Sequence, residues 1–317
     1  MSAEATSKDR PSGEQGRAEA IRISIAMCTH NRADLYEQCM QALMPQLGPE
    51  FEIFVVDSAS EPSAAARIAE VAAKYQNVTF IRLDQPGLSL ARNAALKRAT
   101  GEWLATIDDD AAPAPNWAET ALALTSKMTD DYAIIGGAVR PIYPPGTSPK
   151  LGPRWRQLIS AVEMDEEYDQ TDRPLIVAAN LCFRRSALNE IGGFPENLGR
   201  VGKSLLSGED KLCVNRLLGL GKRIWYSGKL SVGHHIQPER LERKWPRKRA
   251  YWDGRSDRRI EHMLGEKPSA ARAASIFVKL IALSPLYFFA GEGEFDLRFW
   301  YNLGWLQENF TLLRAAT

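Results

Sequence analysis

Short apolar runs alternate with helical periods over the first third of the chain. Four runs of five or six residues are rich in β-branched and aromatic side chains and predict strands at 21–26, 51–56, 78–83 and 103–107. Between the first two, leucine or cysteine recurs every fourth residue from Leu35 to Leu47, which predicts a helix. Further helices are predicted over 63–75 and 88–99. This repeated strand–helix order predicts an α/β fold with an open, mostly parallel sheet flanked by helices.

The regular alternation ends after residue 110, where the predicted elements become mixed. A helix over 116–128 and a strand over 132–139 precede a proline-rich loop at 141–146. The pattern then predicts, in order, a strand at 176–183, a helix from Glu209, strands near Ile224 and over 230–234, a long basic helix and an apolar C-terminal segment. We therefore expect a loose tail over 1–20, an α/β domain over 21–236 and a helical extension over 237–317.

Polar side chains follow three of the predicted parallel strands. They are Thr29, Asn31 and Arg32 after the first strand, Asp57 after the second, and Asp108, Asp109 and Asp110 after the fourth. Ligands of open α/β sheets gather at the carboxyl ends of the strands, so these clusters are expected to line one crevice.

The three consecutive carboxylates, Asp108 to Asp110, are the most informative of these clusters. Like charges this close repel, and oxygen-rich clusters suit Mg²⁺ or Mn²⁺, which often carry a phosphate. The alternative is a solvated acidic loop that caps the next helix.

Two further positions predict nucleotide contacts. Asp57 is placed to bind a nucleobase edge or ribose, or else to cap the following turn. Gly87, Arg92 and Asn93 open the third helix, so its amides and the arginine would face the crevice. A structural salt bridge is the alternative for Arg92.

Composition narrows the class. The 317 residues are 44% hydrophobic and 25% charged, which is typical of a globular protein. The four cysteines are scattered, which fits reduced thiols in a cytoplasm and no disulfide. No GxGxxG follows the first strand and no P-loop motif occurs, which disfavours dinucleotide-dependent oxidoreductases and P-loop enzymes.

Six motifs in order resemble the family 2 glycosyltransferases, which have the GT-A fold. They are Thr29-His-Asn-Arg32, Val55-Val-Asp57, Gly87 with Ala91-Arg-Asn93, Ile107-Asp-Asp-Asp110, Asn180-Leu-Cys-Phe-Arg-Arg185 and Ser207-Gly-Glu-Asp210. The resemblance runs from about residue 21 to 255. It implies that Asp57 contacts the base of a nucleotide sugar, Asp108 lies near the ribose or sugar, and Asp110 binds the metal. By the same resemblance Asp109 shares the metal or donor contacts, and Asn180 belongs to the donor-binding set.

The same resemblance assigns the acceptor side. Glu209 and Asp210 would be the catalytic carboxylates, with Asp210 as general base, although favourable interaction with a helix dipole is a simpler explanation for either. His234 is the expected second metal ligand, with His235 as the alternative.

Arg240 belongs to Gln237-Pro-Glu-Arg240-Leu241, which is similar to the QxxRW signature of processive members, but a leucine stands where that signature has tryptophan. Arg240 would hold the diphosphate, or else be a solvated charge. We therefore expect non-processive transfer.

The implied function is inverting transfer of a single sugar from a nucleoside-diphosphate sugar, with uridine as the default base. The acceptor would be a hydroxyl of a glycan or a lipid-linked molecule, and the cofactor Mn²⁺ or Mg²⁺. The alternatives are a catalytically silent scaffold of the same fold and, with less support, a nucleotidyltransferase.

The C-terminal third predicts a surface contact. Residues 275–290 are apolar but short, 295–310 are rich in aromatic side chains, and 240–259 hold nine Lys or Arg against three Asp or Glu. We expect peripheral attachment through 240–310 to the cytoplasmic face of the inner membrane, or else a helical pair packed on the domain or in a homodimer. No nucleic acid partner is expected.

Overall fold

The computed structural model describes residues 21–172, 174–175, 177–200, 204–267, 269–289 and 294–315. The predicted tail over 1–20 lies outside the described residues. The predicted α/β fold with its open, helix-flanked sheet is confirmed.

The first half is built from repeated β–α units. In chain order these are β1 (Ile23–Thr29), α1 (Ala33–Leu43), β2 (Phe51–Ser58), α2 (Pro62–Ala72), β3 (Val78–Leu83), α3 (Leu88–Leu96) and β4 (Trp103–Asp108). The four strands are parallel in the order β3-β2-β1-β4. Their register sets Thr29 opposite Asp57 and Cys28 opposite Asp108, which brings the polar strand ends together.

The second half completes a mixed sheet. Its elements are β5 (Ala111–Pro113), α4 (Trp117–Lys127), β6 (Tyr132–Ile142), α5 (Pro153–Leu158), β7 (Glu167–Asp169), β8 (Asn180–Arg184), α6 (Arg185–Glu190), α7 (Glu209–Gly219) and β9 (Arg223–His235). The order continues from β4 through β8, β6 and β9 to β5, while β7 pairs with β9. Strand β8 runs antiparallel to both neighbours, and β6 and β9 run parallel.

Three predicted boundaries in this half are wrong. The strand predicted at 176–183 begins only at Asn180, after a turn. Strand β6 continues through Pro141 to Ile142, into the predicted proline-rich loop. The two strands predicted near Ile224 and over 230–234 are one strand, β9, whose pairing with β6 shifts register between Ser227 and Ser231.

The core lies on both faces of the sheet, which explains why β1 and β2 are buried almost without interruption. On one face, α1 contributes Tyr36, Met40 and Leu43, spaced by three and four residues, to a cluster that includes Trp103 and Trp117. On the other face, α3, α6 and α7 cover a second apolar cluster. The sheet is therefore fixed from both sides, and its polar strand ends open at one edge.

The extension consists of α8 (Lys244–Met263), α9 (Ala270–Phe289) and α10 (Glu294–Ala315), and a short 3₁₀ turn over Pro238–Leu241 leads into it. Helices α8 and α10 approach so closely that a Cβ on Gly254 would overlap the Tyr301 carbonyl oxygen, and one on Gly304 would overlap that of Tyr251. Glycine is required at both positions because the backbones touch.

Most of the basic side chains on α8 face other parts of the protein. Arg255 and Arg259 both donate to the fully buried Glu308 of α10, at 2.9 and 2.8 Å, and Arg258 donates to Asn309. The expectation that the 240–259 cluster faces an anionic surface is thus wrong for these arginines. Among the described residues, none of the helices is both long enough and apolar enough to cross a membrane.

Candidate active site

A cavity of about 630 Å³ opens at the carboxyl ends of β1, β2 and β4, beside the N-termini of α3 and α7 and one face of α8. Most of the site residues predicted from the sequence line it: Thr29, Arg32, Gly87, Arg92, Asp108, Asp109, Asp110, Glu209, Asp210, His234 and Arg240. Among the residues that the structure describes, four predicted site residues do not line the cavity: Asn31, Asp57, Asn93 and Asn180. The expected convergence of strand ends is therefore observed for most of the set.

Asp110 is the centre of the charged network in this cavity. Its buried carboxylate lies 3.0 Å from Arg32 Nη1, 3.3 Å from Arg240 Nη2 and 3.3 Å from His234 Nε2. Burial acts to raise the pKa of Asp110, but the hydrogen bond and charge of His234, together with both arginines, hold it well below its usual value. Asp110 is accordingly a carboxylate at neutral pH.

His234 reaches Asp110 because of strand pairing. Strand β5 follows the acidic triplet directly and pairs with β9, so that Ala111 lies opposite His234. The adjacent His235 donates its backbone N–H to the Asp110 carbonyl but its side chain is not part of the described cavity lining. Of the two candidate histidines, His234 is the one whose ring faces the carboxylate.

Asp110 and His234 together fit a divalent cation. A carboxylate oxygen and an imidazole nitrogen 3.3 Å apart are both acceptable to Mn²⁺, and carboxylate oxygen suits Mg²⁺. Among the described residues no group of three His, Cys, Asp or Glu side chains converges on one point. A cation here would therefore take its other ligands from a diphosphate or from water.

Asp109 is buried behind Asp110 and is held by protein donors. Thr29 Oγ1 donates to it at 2.8 Å and Arg32 Nη1 at 3.2 Å. Burial raises the pKa of Asp109 to about 7, against the opposing charge of Arg32. Because Arg32 bonds to both Asp109 and Asp110, it relieves the repulsion between neighbouring carboxylates.

Arg92 joins the two ends of the cavity. Its guanidinium is buried and lies 2.6 Å from Glu209 Oε1 and 3.4 Å from Asp108 Oδ1. Burial raises the pKa of Glu209 even though Arg92 acts in the opposite direction. The salt bridge given as the alternative for Arg92 is thus present. It lies inside the cavity and connects Asp108 at the end of β4 to Glu209 at the start of α7.

Asp210 stands at the start of α7, where Gly208 has a φ of 91° that favours glycine. Its Oδ2 accepts from the Ala178 N–H at 3.1 Å and its Oδ1 from the Lys211 N–H at 2.8 Å. These bonds fix a partly exposed carboxylate at the wall of the cavity that Asp110 and His234 also line.

Helix α8 supports the turn over 205–208 that precedes α7. The sequence pattern did not predict this support. Arg249 donates to the Ser207 hydroxyl at 2.9 Å and to the Leu205 carbonyl at 3.2 Å. The Ser207 N–H in turn donates to the Ser256 hydroxyl at 3.0 Å. The seven-residue spacing of Arg249 and Ser256 places both on one face of the helix. Nothing in the neighbouring sequence indicated that this face contacts the turn before α7.

Gln237 is a second residue near Asp110 whose role the sequence pattern did not predict. Its Nε2 donates to Asp110 Oδ2 at 3.2 Å, and its buried Oε1 lacks a hydrogen-bond partner in the described part of the protein. Its place three residues before Arg240 in the quoted motif was the available signal.

Two predicted donor residues form turns beside the cavity. Asn31 Oδ1 accepts from the Glu61 N–H at 2.7 Å, and Asp57, which is fully buried, accepts from the Ser60 N–H at 3.0 Å and from Arg82. The turn-capping alternative for Asp57 is therefore observed, and its contact with a base stays a prediction.

Two other predicted donor residues, Asn93 and Asn180, do not line the cavity and bind other parts of the fold. Asn180 accepts from Trp117 Nε1 at 2.9 Å and donates to backbone carbonyls of β6 and β9 at 3.0 and 2.7 Å. Asn93 exchanges hydrogen bonds with the Phe194 backbone, at 2.8 and 2.9 Å. Both amides are thus used to hold the fold together, and their contact with a donor stays a prediction.

Comparisons with known proteins agree with this geometry. Residues 24–192 match the family model described as Glycosyl transferase family 2. A glucosyl-dolichyl phosphate glucuronosyltransferase of Haloferax volcanii is 25% identical over 83% of this chain and 84% of its own length. The succinoglycan biosynthesis protein ExoM of Rhizobium meliloti is 27% identical over 81% of this chain and 79% of its own.

Solved structures show the same fold. A mannosyltransferase from Pyrobaculum calidifontis, in complex with GDP-Man and Mn²⁺, superposes with a TM-score of 0.59 at 18% identity, covering 94% of this chain and 90% of that one. S. aureus TarS 1-349 with UDP gives a TM-score of 0.50 at 18% identity, covering 93% and 92%. Since the family model spans more than half of the chain, the protein belongs to glycosyl transferase family 2 and is a glycosyltransferase of the GT-A fold.

Proposed function

We propose that the protein transfers a single sugar from a nucleoside-diphosphate sugar to a hydroxyl of a glycan or lipid-linked acceptor, with inversion at the anomeric carbon and with a divalent metal. One observation carries this proposal. The Asp110–His234–Arg240 cluster and the Asp210 carboxylate line the same cavity, so a leaving group and an attacking hydroxyl can be served together.

The donor would lie along the ends of β1 and β4. Arg32 and Arg240 flank Asp110 at 3.0 and 3.3 Å and are suited to a diphosphate, because guanidinium groups bind phosphate oxygens in pairs. Uridine is our first candidate for the base. The neighbouring structures contain GDP-Man in one case and UDP in the other, so guanosine is the second.

Asp210 would act as the base. Its carboxylate accepts the proton of the acceptor hydroxyl while that oxygen attacks the anomeric carbon from the face opposite the leaving group. The bond from the anomeric carbon to the phosphate oxygen breaks, and the nucleoside diphosphate leaves with the electron pair. Attack from one side and departure from the other invert the anomeric configuration.

The second requirement is to stabilise the negative charge that develops on the leaving nucleoside diphosphate. Asp110 and His234 would hold the cation, which when bound supplies positive charge at the diphosphate. Arg240 contacts both of these residues, with Nη1 3.3 Å from His234 Nε2, so it would orient them and also bind phosphate. Arg92 would keep Glu209 and Asp108 in place between the two halves of the site.

The names of two relatives support the proposed class of acceptor. One is named for a glucosyl-dolichyl phosphate substrate and another for succinoglycan biosynthesis, which covers lipid-linked and polysaccharide acceptors.

The first test is thermal stabilisation by UDP, GDP and TDP, with and without Mn²⁺, because a ligand that binds the native state raises its stability by mass action. We expect one nucleotide to stabilise the wild type in a Mn²⁺-dependent way and this response to vanish in Asp110→Ala. Asp130→Ala, which changes an exposed acid far from the cavity, is the matched control. Mn²⁺-dependent stabilisation that survives in Asp110→Ala would sink the metal assignment.

The second test concerns the base. Asp210→Asn keeps the shape of the side chain and is expected to lose at least about a hundredfold in turnover, while nucleotide stabilisation is unchanged. Robust turnover by this variant would remove Asp210 from its role.

A further inference from the structure

The cavity continues past Asp210 toward α5 and α8. At that end it is lined by Gln157, Val177, Arg249 and Asp253, and the same four residues line a second cavity of about 160 Å³. Shared walls mean that the two spaces adjoin. A groove therefore leads from the proposed base to a smaller pocket between α5 and the loop before β8.

Asp253 is the carboxylate at the junction of these two spaces. Within the described part of the chain it accepts no hydrogen bond, and its ion pair with Arg249 Nη2 spans 3.8 Å. Arg249 is engaged elsewhere, because it donates to Ser207 and Leu205. The side chain of Asp253 is 33% exposed, so it is reachable.

Asp257, one turn further along α8, provides the contrast. Its two oxygens accept from Lys211 Nζ and from the Tyr301 hydroxyl, each at 2.7 Å. Asp257 is thus committed to the fold, while Asp253 retains free acceptor capacity that faces the groove.

The second cavity has the character of a sugar site. Its polar side chains are Arg154, Gln157, Arg249 and Asp253, and its apolar ones are Leu158, Ala161, Val162, Leu175 and Val177. A pyranose presents hydroxyls at its edge and C–H groups on its faces, which matches a pocket that is polar on some walls and apolar on others. Asp253 can accept a hydrogen bond from a sugar hydroxyl, and Arg154 and Arg249 can donate to sugar oxygens.

We infer that this groove binds a glycoside acceptor of at least two sugar units, with the reacting unit beside Asp210 and the next unit in the second cavity. Asp253 accepts a hydrogen bond from an acceptor hydroxyl and determines acceptor specificity. This inference rests on the proposed function, because it takes Asp210 as the base.

The test is acceptor binding, measured by isothermal titration calorimetry of the full chain saturated with Mn²⁺ and the stabilising nucleotide. The probes are methyl glycosides of glucose, galactose and mannose, and the methyl glycosides of their disaccharides. We expect at least one disaccharide to bind more tightly than its monosaccharide. Since a hydrogen bond to a charged group is worth about 1.5–3 kcal/mol, Asp253→Ala should raise the Kd at least about tenfold.

Three variants make the outcome specific. Asp253→Asn, which keeps an acceptor oxygen, should recover part of the loss. Ala161→Phe fills the second cavity and should abolish the advantage of the disaccharide but leave the monosaccharide Kd unchanged. Asp210→Asn removes the charge beside the reacting unit, which both probes share, so it should raise the Kd of monosaccharide and disaccharide alike and leave their ratio unchanged.

The results separate this inference from the proposed function. Equal Kd values for wild type and Asp253→Ala, or no glycoside binding while the nucleotide still stabilises the protein, would overturn the acceptor groove. A wild type that no nucleotide stabilises would instead refute the donor site. Unchanged nucleotide stabilisation in Asp253→Ala would show that this variant is folded.

Discussion

The Arg92–Glu209 ion pair allows a quantitative test of how the cavity is held together. Both side chains are buried, 3% and 5% exposed, and their N–O distance is 2.6 Å. In Arg92→Ala the Glu209 carboxylate keeps no salt-bridge partner among the described residues, although the charge of Arg200 still acts on it from a longer range. Its Oε2 already lacks a hydrogen-bond partner in that part of the chain. Breaking a buried pair from one side costs about 3–5 kcal/mol, a large share of the roughly 5–15 kcal/mol that stabilises a native protein.

The penalty should depend on pH. Burial raises the pKa of Glu209 above its usual 4.5 in the native protein, and Arg92 opposes this, so removing Arg92 raises the native pKa further. A carboxyl that binds its proton more tightly in the native state than in the unfolded state loses stability as pH rises from the unfolded pKa through the native one. Arg92→Ala is therefore expected to be less destabilised at pH 5 than at pH 8, because Glu209 takes up a proton.

Urea unfolding followed by tryptophan fluorescence measures this in the wild type, Arg92→Ala, Glu209→Gln and the double variant. At pH 8 the double variant should recover a large part of the loss, since it removes the unpaired charge. Arg67→Ala breaks the exposed pair with Glu37 and should leave the unfolding midpoint almost unchanged. A loss below about 1 kcal/mol for Arg92→Ala, or an equal loss at both pH values, would refute the reasoning.

Three further predictions follow from the structure. His234→Ala should remove the Mn²⁺-dependent part of nucleotide stabilisation, measured by thermal shift, and an unchanged response would exclude it as a ligand. Gly254→Val forces a side chain into the α10 backbone and should cost about 1–3 kcal/mol in urea unfolding; wild-type stability would contradict the close approach. Phe277 and Ile281 are 55% and 58% exposed on α9, and replacing both by serine should abolish flotation with anionic liposomes, whereas flotation by this variant would exclude the α9 face as the contact.

The parallel half of the fold was predictable because its signals are local. Each strand of a parallel sheet that is covered on both faces is a short apolar run, and each connecting helix repeats its apolar residues with a helical period. The errors fall where pairing is non-local. Strand β9 is continuous, but its pairing with β6 shifts register near Gly228, which packs against the backbone of Met164 and Asp165. The sequence pattern alone divides it into two strands.

The part of the candidate site that lies at the ends of parallel strands was predictable, because the order of the strands fixes where these ends meet. Carboxyl ends of neighbouring parallel strands must meet at one edge, so Thr29, Asp108 and Asp110 could be brought together from the sequence. The protein partners of Asn93 and Asn180 could not be predicted in this way, because what an amide binds depends on which carbonyls the distant chain brings to it. Both face protein partners more than 40 residues away.

The basic cluster on α8 shows the same limit for charge. Counting charges over 240–259 predicts an anionic partner, and that partner is largely the protein itself. Glu308, about 50 positions along the chain, accepts from both Arg255 and Arg259. Arg247 donates to Asp296 at 2.7 Å. The number of charges counted in a segment of sequence is therefore only an upper limit on the number that the folded protein can present to a membrane.

The helical extension lines part of the candidate active site and also supports it, because residues of α8 form one wall of the cavity. The family match ends at residue 192, before Asp210, and the turn that carries Asp210 is held by Arg249 and Ser256 of α8. Helix α8 is held in turn by α10, through their close contact and Glu308. Removing the chain beyond 267 would take Glu308 away from Arg255 and Arg259 and remove the helix that packs on α8. We expect the turn to lose its support, so such a truncation should lose transfer whether or not α9 contacts a membrane. Substitutions on the exposed face of α9 separate the two effects, because they leave the α8–α10 contact in place.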